Sequence, residues 1–289
     1  MNRSAPLARH GTRLNSLSIM YAVSAAALGL TMTMPMPVRQ ADAQEKKEAV
    51  VPPIVFQAAG PTSDSIQSTV DAFRSALGDP NNNNNPGPLD NGRREINWDG
   101  GGVDTTTPPV TPFNVFLNTR GAQFTTPGTG LSQAPPSGGA QGGLAALFNN
   151  PTYGAIFSTF SPKRLFTPVR SNITKGSFFV PGTNGGVAAT VTGFGAVFTD
   201  VDRPDGKKHG TASTSIEYFG VDGELLFSGS VPASPGDGSQ SFLGIMFNDP
   251  LIARVRIKSG NVAPGPDDDA KHDVVMMDDF IYGEPQPLP

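Results

Sequence analysis

One stretch near the N-terminus has the apolar period of a helix. In "SDSIQSTVDAFRSALGDP" a single apolar stripe is formed by Ile66, Val70, Phe73 and Leu77. Asp64, with Gln67 three residues later, is the candidate cap at the start, and Gly78 followed by Pro80 ends the pattern. The stretch predicts one amphipathic helix packed against a sheet.

The C-terminal half alternates with the period of a strand. In "LIARVRIKSG", one face carries Ala253, Val255 and Ile257 and the other carries Arg254, Arg256 and Lys258. Turn sequences such as "PGTNGG", "RPDG" and "SPGDGS" separate runs of this kind. The predicted strands are 174–180, 186–200, 213–219, 224–231, 241–247, 251–259 and 273–283. One buried and one wet face is the antiparallel pattern, and the spacing favours a sandwich or jelly roll.

The segment between these two regions is less regular. The Asn-rich stretch 81–92 cannot bury apolar surface and predicts a loop or flexible connector, and "REINWD" (94–99) predicts a short strand. From there to about residue 150 we expect an irregular region laid across a sheet. The predicted fold is therefore mainly β: one antiparallel, jelly-roll-like β-sandwich over 54–284 with an N-terminal helix, followed by a tail, 285–289.

The N-terminus predicts export. Basic Arg3, Arg9 and Arg13 precede an apolar run, and "ADA" (41–43) supplies the small residues of a cleavage site, so residues 1–43 form a predicted signal peptide. Residues 44–53 are a polar lead-in. No later run is long enough to span a membrane, which predicts an extracellular or periplasmic protein with no transmembrane segment in the mature chain.

Charge and composition exclude several function classes. The chain has 21 Lys and Arg against 25 Asp and Glu, and without residues 1–43 the balance is 17 against 24, or −7. An acidic body argues against nucleic acid as a partner. The absence of cysteine excludes disulfides, thiolate metal sites and cysteine nucleophiles. Neither a serine nucleophile elbow nor a His-Glu-x-x-His zinc motif is present, so the sequence favours a non-enzyme without deciding the matter.

Three acidic groups are candidate calcium ligands. They are Asp99 with Asp104 in "DGGGVD", Asp200 with Asp202 in "FTDVD", and Asp278 with Asp279 in "MDDF". Asp200 and Asp202 should share a strand face, and "RPDG" after them predicts a hairpin turn rather than an EF-hand. Adjacent strand residues point to opposite faces, so one of Asp278 and Asp279 should be buried. Calcium, an arginine or backbone N–H groups would then compensate its charge.

Several segments carry a family resemblance. "GFGAVFTDVD", "SFLGIMFNDPLIARVRIKSG" and "DVVMMDDFIYGEP", with "REINWDGGG" and "RLFTPVRSN" upstream, resemble uncharacterised exported bacterial β-sandwich proteins. The last strand is similar to that of lectin-like and MAM-like jelly-roll domains, in which an acidic pair precedes an apolar residue. The resemblance implies the fold and bound calcium.

Three functions follow as hypotheses. The first is an exported, non-catalytic binding module for carbohydrate, stabilised by calcium, in which exposed Trp98 and Tyr153 stack on sugar faces. The second is a secreted polysaccharide hydrolase that uses paired aspartates, and the third is a structural protein of the cell envelope.

Overall fold

A computed structural model describes residues 51–100, 104–202, 213–266 and 272–288, which belong to one compact unit, Ala49–Pro289. The predicted signal peptide, most of the lead-in and the "RPDG" turn lie outside the described residues. Within the described residues, no helix is both long and apolar enough to span a membrane.

The predicted helix is confirmed as α1, Ser63–Leu77, and all four residues of its apolar stripe are buried. The N-cap is Thr62 and not Asp64, because the backbone N–H of Thr62 donates to Ser65 Oγ (3.4 Å) in a capping box. Gly78 ends the helix as predicted, with a φ of 101° that favours glycine. Three short helices follow: α2 (Leu117–Arg120), α3 (Gly143–Leu147) and α4 (Tyr153–Ile156).

The strands form two main antiparallel sheets. The larger sheet has the order β1 (Ile54–Gly60), β11 (Gln240–Met246), β8 (Gly193–Thr199), β13 (Met276–Gly283), β5 (Leu165–Val169) and β4 (Gly130–Ala134), and β2 (Arg93–Ile96) also pairs with β13. The smaller sheet has the order β10 (Leu225–Ser230), β9 (Ser215–Phe219), β12 (Arg254–Lys258), β6 (Ile173–Phe178) and β3 (Ala122–Thr125). A separate short pair joins β7 (Ala189–Thr190) to β14 (Gln286–Pro287). The mainly β, antiparallel fold is thus confirmed.

Prediction of the individual strands succeeds where the pattern alternates. Each window predicted after residue 173 contains a strand, and β2 lies within the short strand predicted at 94–99 apart from its first residue. Strands β1, β4 and β5 were not predicted. All five residues of β4, "GLSQA", are buried although three of them are Gly, Ser or Gln, so no apolar pattern marks the strand.

The two sheets differ in what covers their outer faces. The smaller sheet packs on the inner face of the larger one, while α1 packs with Val197, Phe242 and Ile281 in a second cluster. Strands β8 and β13 are therefore buried along their whole length. Strand β12 instead alternates between buried and solvent-facing residues, which leaves the outer face of the smaller sheet open.

The Asn-rich stretch 81–92 is held against the sandwich by a buried ion pair. Arg94 donates two hydrogen bonds of 2.6 Å to the carboxylate of Glu284, and neither side chain is more than 3% exposed. Arg94 also bonds the carbonyls of Asn83 and Asn85, and Asn82 donates to Glu284 (2.8 Å). The stretch is a loop, as predicted, but its backbone is fastened at several points and it is not a free connector.

We expect Glu284→Gln to destabilise the protein by about 3–5 kcal/mol, because the Arg94 guanidinium would stay buried without a counter-charge. Urea denaturation of the two proteins measures the difference. The matched control is Glu217→Gln, which breaks the half-exposed pair with Arg256 (2.7 Å) and should cost less than about 1 kcal/mol. Equal decreases in the free energy of unfolding in the two variants would show that the buried Arg94–Glu284 pair contributes no more to stability than the half-exposed pair.

Candidate functional site

Asp278 and Asp279 lie in a β-bulge at the centre of the larger sheet. The register of β13 against β8 shifts between Met277 and Phe280, which inserts one extra residue. Both aspartates are buried, at 0% and 3% exposure. One of the two was expected to be buried, and both are, because the bulge interrupts the alternation of strand side chains.

Donors from one segment of the chain satisfy this pair. The backbone N–H of Phe160 donates to Asp278 Oδ2 (2.6 Å), and Ser161 Oγ donates to Asp279 Oδ1 (2.6 Å) and lies 3.4 Å from Asp278 Oδ1. Asp99 binds the same segment farther along, where its Oδ1 accepts the N–H groups of Lys163 (2.5 Å) and Arg164 (2.8 Å). Three carboxylates therefore hold residues 159–164, which we call the strap.

One cation contacts the aspartate pair. Arg74 of α1 lies 3.2 Å from Asp279 Oδ2 and 3.0 Å from Glu95. Burial raises the pKa of Asp278 well above its ordinary value, and the neighbouring charge of Asp279 adds to the rise. Burial also raises the pKa of Asp279 to about 6, although the Ser161 hydrogen bond and Arg74 oppose the change.

The other predicted ligands do not join this cluster. Asp104 is exposed and pairs with Lys163 at 3.6 Å. Strand β8 ends at Thr199, and Asp200 has a φ of 69°, so the strand alternation stops there. Asp200 is buried while Asp202 is exposed and accepts the N–H of Gly236 (2.9 Å). The prediction that Asp200 and Asp202 share a face is wrong.

The geometry of these carboxylates supports hydrogen bonding more than metal binding. In the described residues no three acidic, histidine or cysteine side chains come together in a way that could hold a metal ion. The oxygens of Asp278 and Asp279 accept hydrogen bonds from N–H and O–H donors. N–H donors of this kind, like calcium, were expected to compensate a buried charge at this pair. Both carboxylates are also covered by the strap, so neither meets a substrate in this conformation.

Trp98 and Tyr153 belong to the core. Both are 0% exposed, and the expectation that their rings are exposed is wrong. The Trp98 ring stacks on Phe166 (centroids 3.7 Å apart), and its Nε1 donates to the carbonyl of Asp278 (3.0 Å). The Tyr153 hydroxyl donates to the carbonyl of Gly265 (2.8 Å). Each ring fills the interior and uses its polar atom on the backbone.

The open outer face of the smaller sheet carries a group of cations without partners. Its residues Lys175, Arg254 and Lys258 form no ion pair or hydrogen bond within the described part of the chain, whereas Arg256 pairs with Glu217. We call this surface the cationic face. The alternation in "LIARVRIKSG" had placed three of these four side chains together, but only the pairing of β12 with β6 adds Lys175.

A depression of about 370 Å³ lies on this face. Phe219 is half-exposed at one side of it and is paired in register with Arg254, and Lys175 lines it as well. A larger groove of about 470 Å³ between the edge strands β1 and β10 has no charged residue in its lining. The depression therefore combines charge with an aromatic ring that can orient a ligand, and a smaller cavity of about 280 Å³ shares Arg254 with it.

Comparison with family models, with curated proteins and with solved structures finds no match to this chain. The case for function therefore rests on the geometry of the cationic face and of the aspartate pair.

Because Trp98 is the only tryptophan and is fully buried, its fluorescence should report the fold. We expect a blue-shifted emission that iodide does not quench, changing to a red-shifted, quenchable emission in concentrated urea. A native emission that iodide quenches freely would contradict the burial of this ring.

Stability should fall as pH rises through about 6. Both aspartates have a folded-state pKa above the unfolded value of about 3.9, so at this pair the folded protein binds more protons, and the contribution of the pair to stability is fully present only below about pH 4. The raised pKa of Asp279 alone corresponds to a decrease in the free energy of unfolding on the order of 3 kcal/mol between about pH 4 and neutral pH. Urea denaturation at pH 5 and pH 7.5 measures about half of this decrease, roughly 1–2 kcal/mol, because the unfolded carboxyl already ionises below pH 5.

The variant Asp279→Asn should reduce this pH dependence to the part that Asp278 contributes, since an amide does not ionise. Asp71→Asn is the matched control, because Asp71 also contacts Arg74 (3.1 Å) but is 55% exposed. An increase in the free energy of unfolding from pH 5 to pH 7.5 would contradict the predicted loss of stability with rising pH.

Proposed function

We propose that this protein is an exported, non-catalytic β-sandwich binding module of the jelly-roll kind. Its ligand is an acidic polysaccharide, and its binding surface is the cationic face. The observation that carries the proposal is that two cations without a partner among the described residues, Lys175 and Arg254, line the depression with the half-exposed ring of Phe219. Lys258 lies farther along β12 on the same face.

The charge of this face supports an anionic ligand. Arg254 lies opposite Ser177 on one side and Phe219 on the other, so no carboxylate is its direct cross-strand neighbour. A guanidinium without an acidic partner is suited to bind a carboxylate with two parallel hydrogen bonds. Lys175 is a diagonal neighbour of Arg254, so two positive charges border the depression.

The surroundings of the face favour a sugar polymer over nucleic acid. Within the described residues, the cationic face has three cations without a partner, which is few for the roughly six to ten phosphate contacts typical of tight nucleic-acid binding. Phe219 offers a flat apolar ring against which a sugar face can pack, while the cations bind acid groups on the same polymer. The predicted signal peptide supports a ligand met outside the cytoplasm, such as a polysaccharide.

Binding of polygalacturonate, measured by isothermal titration calorimetry, tests the proposal. We expect Arg254→Ser to weaken binding roughly tenfold, or ~1.4 kcal/mol, through the lost charged hydrogen bonds. Phe219→Ala should weaken it too, and added salt should weaken binding by the native protein.

Lys163→Ser is the matched control, because it removes one positive charge from the strap and not from the cationic face. It should bind as the native protein does. Equal affinity for neutral dextran, or no effect of Arg254→Ser, would count against an acidic ligand at this face. Tighter binding of a DNA oligonucleotide would identify a general polyanion surface instead.

A further inference from the structure

The strap is fastened to the sandwich at two ends by different chemistry. Its first part depends on the buried aspartate pair through Phe160 and Ser161. Its last part depends on Asp99 and on the side chain of Arg164, which donates to the carbonyls of Trp98 (2.5 Å) and Gly100 (2.7 Å). Opening the first part would break hydrogen bonds to two groups that titrate together.

Charges from every neighbouring element act on this pair. Helix α1 supplies Arg74, strand β2 supplies Glu95, and Asp99 follows β2. Arg74 is shared, because it also bonds Glu95 and Asp71. With one proton on the pair, Arg74 faces a single negative charge there. After that proton leaves, two adjacent buried carboxylates repel each other beside the same cation.

We propose that Asp278 and Asp279 form a pH-dependent latch that closes the strap while the pair holds a proton and releases it when that proton is lost to water. Opening lets water reach both carboxylates, which favours their ionised form. Ionisation and opening therefore promote each other as pH rises. Phe160, which packs in part against the α1 cluster, would leave that cluster with the strap.

This latch is independent of the proposed ligand, since the pair lies on the larger sheet and the cationic face lies on the smaller one. Opening of the latch can be distinguished from unfolding of the whole protein. Ser158, just before the strap, is held by groups that do not titrate, so it should stay in place when the latch opens. Its hydroxyl donates to the carbonyl of Gly238 (2.6 Å), and Gln240 donates to it. The N-terminal end of the strap should stay in place while Phe160 moves.

Hydrogen exchange by NMR on the full chain tests the latch. The quantity is the protection factor of the Phe160 amide, corrected for the intrinsic rate at each pH. We expect it to fall by up to about tenfold per pH unit between pH 5 and pH 7. The Phe247 amide, which donates to the carbonyl of Thr192 (2.8 Å), is the internal reference and should show no such slope.

Asp279→Asn should reduce the slope of the Phe160 protection factor against pH, because only Asp278 of the pair can still ionise and it no longer faces a second carboxylate. Asp104→Asn, which changes an exposed carboxylate beside the strap, should leave the native slope unchanged. A flat profile for Phe160 in the native protein, or an equal slope in Asp279→Asn, would overturn the latch. If Asp279→Asn does not fold, Asp278→Asn makes the same comparison.

Discussion

The structure depends on placing carboxylates in a strand that is buried on both faces. Strand β13 carries Asp278 and Asp279 at its centre, and Glu284 follows its end. A buried carboxylate is costly unless protein groups compensate it, so each of these three needs its own donors. Those donors come from α1, from β2, from the strap and from the Asn-rich loop. The elements packed around β13 are therefore held to it by charge and hydrogen bonds as well as by apolar contact.

The two halves of the sandwich consequently play different parts. The larger sheet is covered by α1 and the strap, and its buried charges are matched within the protein. The smaller sheet has one open face, where Arg254, Lys175 and Lys258 remain available to solvent. Charges already bonded in the interior hold the fold together, whereas unbonded charges on an open sheet are free to bind a ligand. This contrast separates the structural carboxylates from the proposed binding surface.

Sequence patterns predicted those elements whose hydrophobic pattern matches the way they are buried in the fold. The 3.6-residue stripe of α1 and the alternation of β12 each arise from an element with one buried and one solvent-facing side, so both are visible in the sequence. Strand β4 is buried throughout despite its polar residues, and no local pattern marks it. The candidate site was predicted only in part. Asp278 and Asp279 were recognised as unusual, but the cationic face was not, because Lys175 reaches it through strand pairing distant in sequence.

The sequence by itself determined the class of the protein: a mainly β, antiparallel, cysteine-free chain with one amphipathic helix and an acidic balance. The hydrophobic period of a segment depends only on neighbouring residues, and composition is a sum over the chain, so both can be obtained from the sequence alone. Only the tertiary structure decided that Trp98 is buried, since burial depends on what packs above a ring. It also decided that Asp278 and Asp279 are both buried under α1 and the strap, because a bulge is defined by the partner strand β8. Contacts between residues far apart in the sequence set these features, and no local pattern records them.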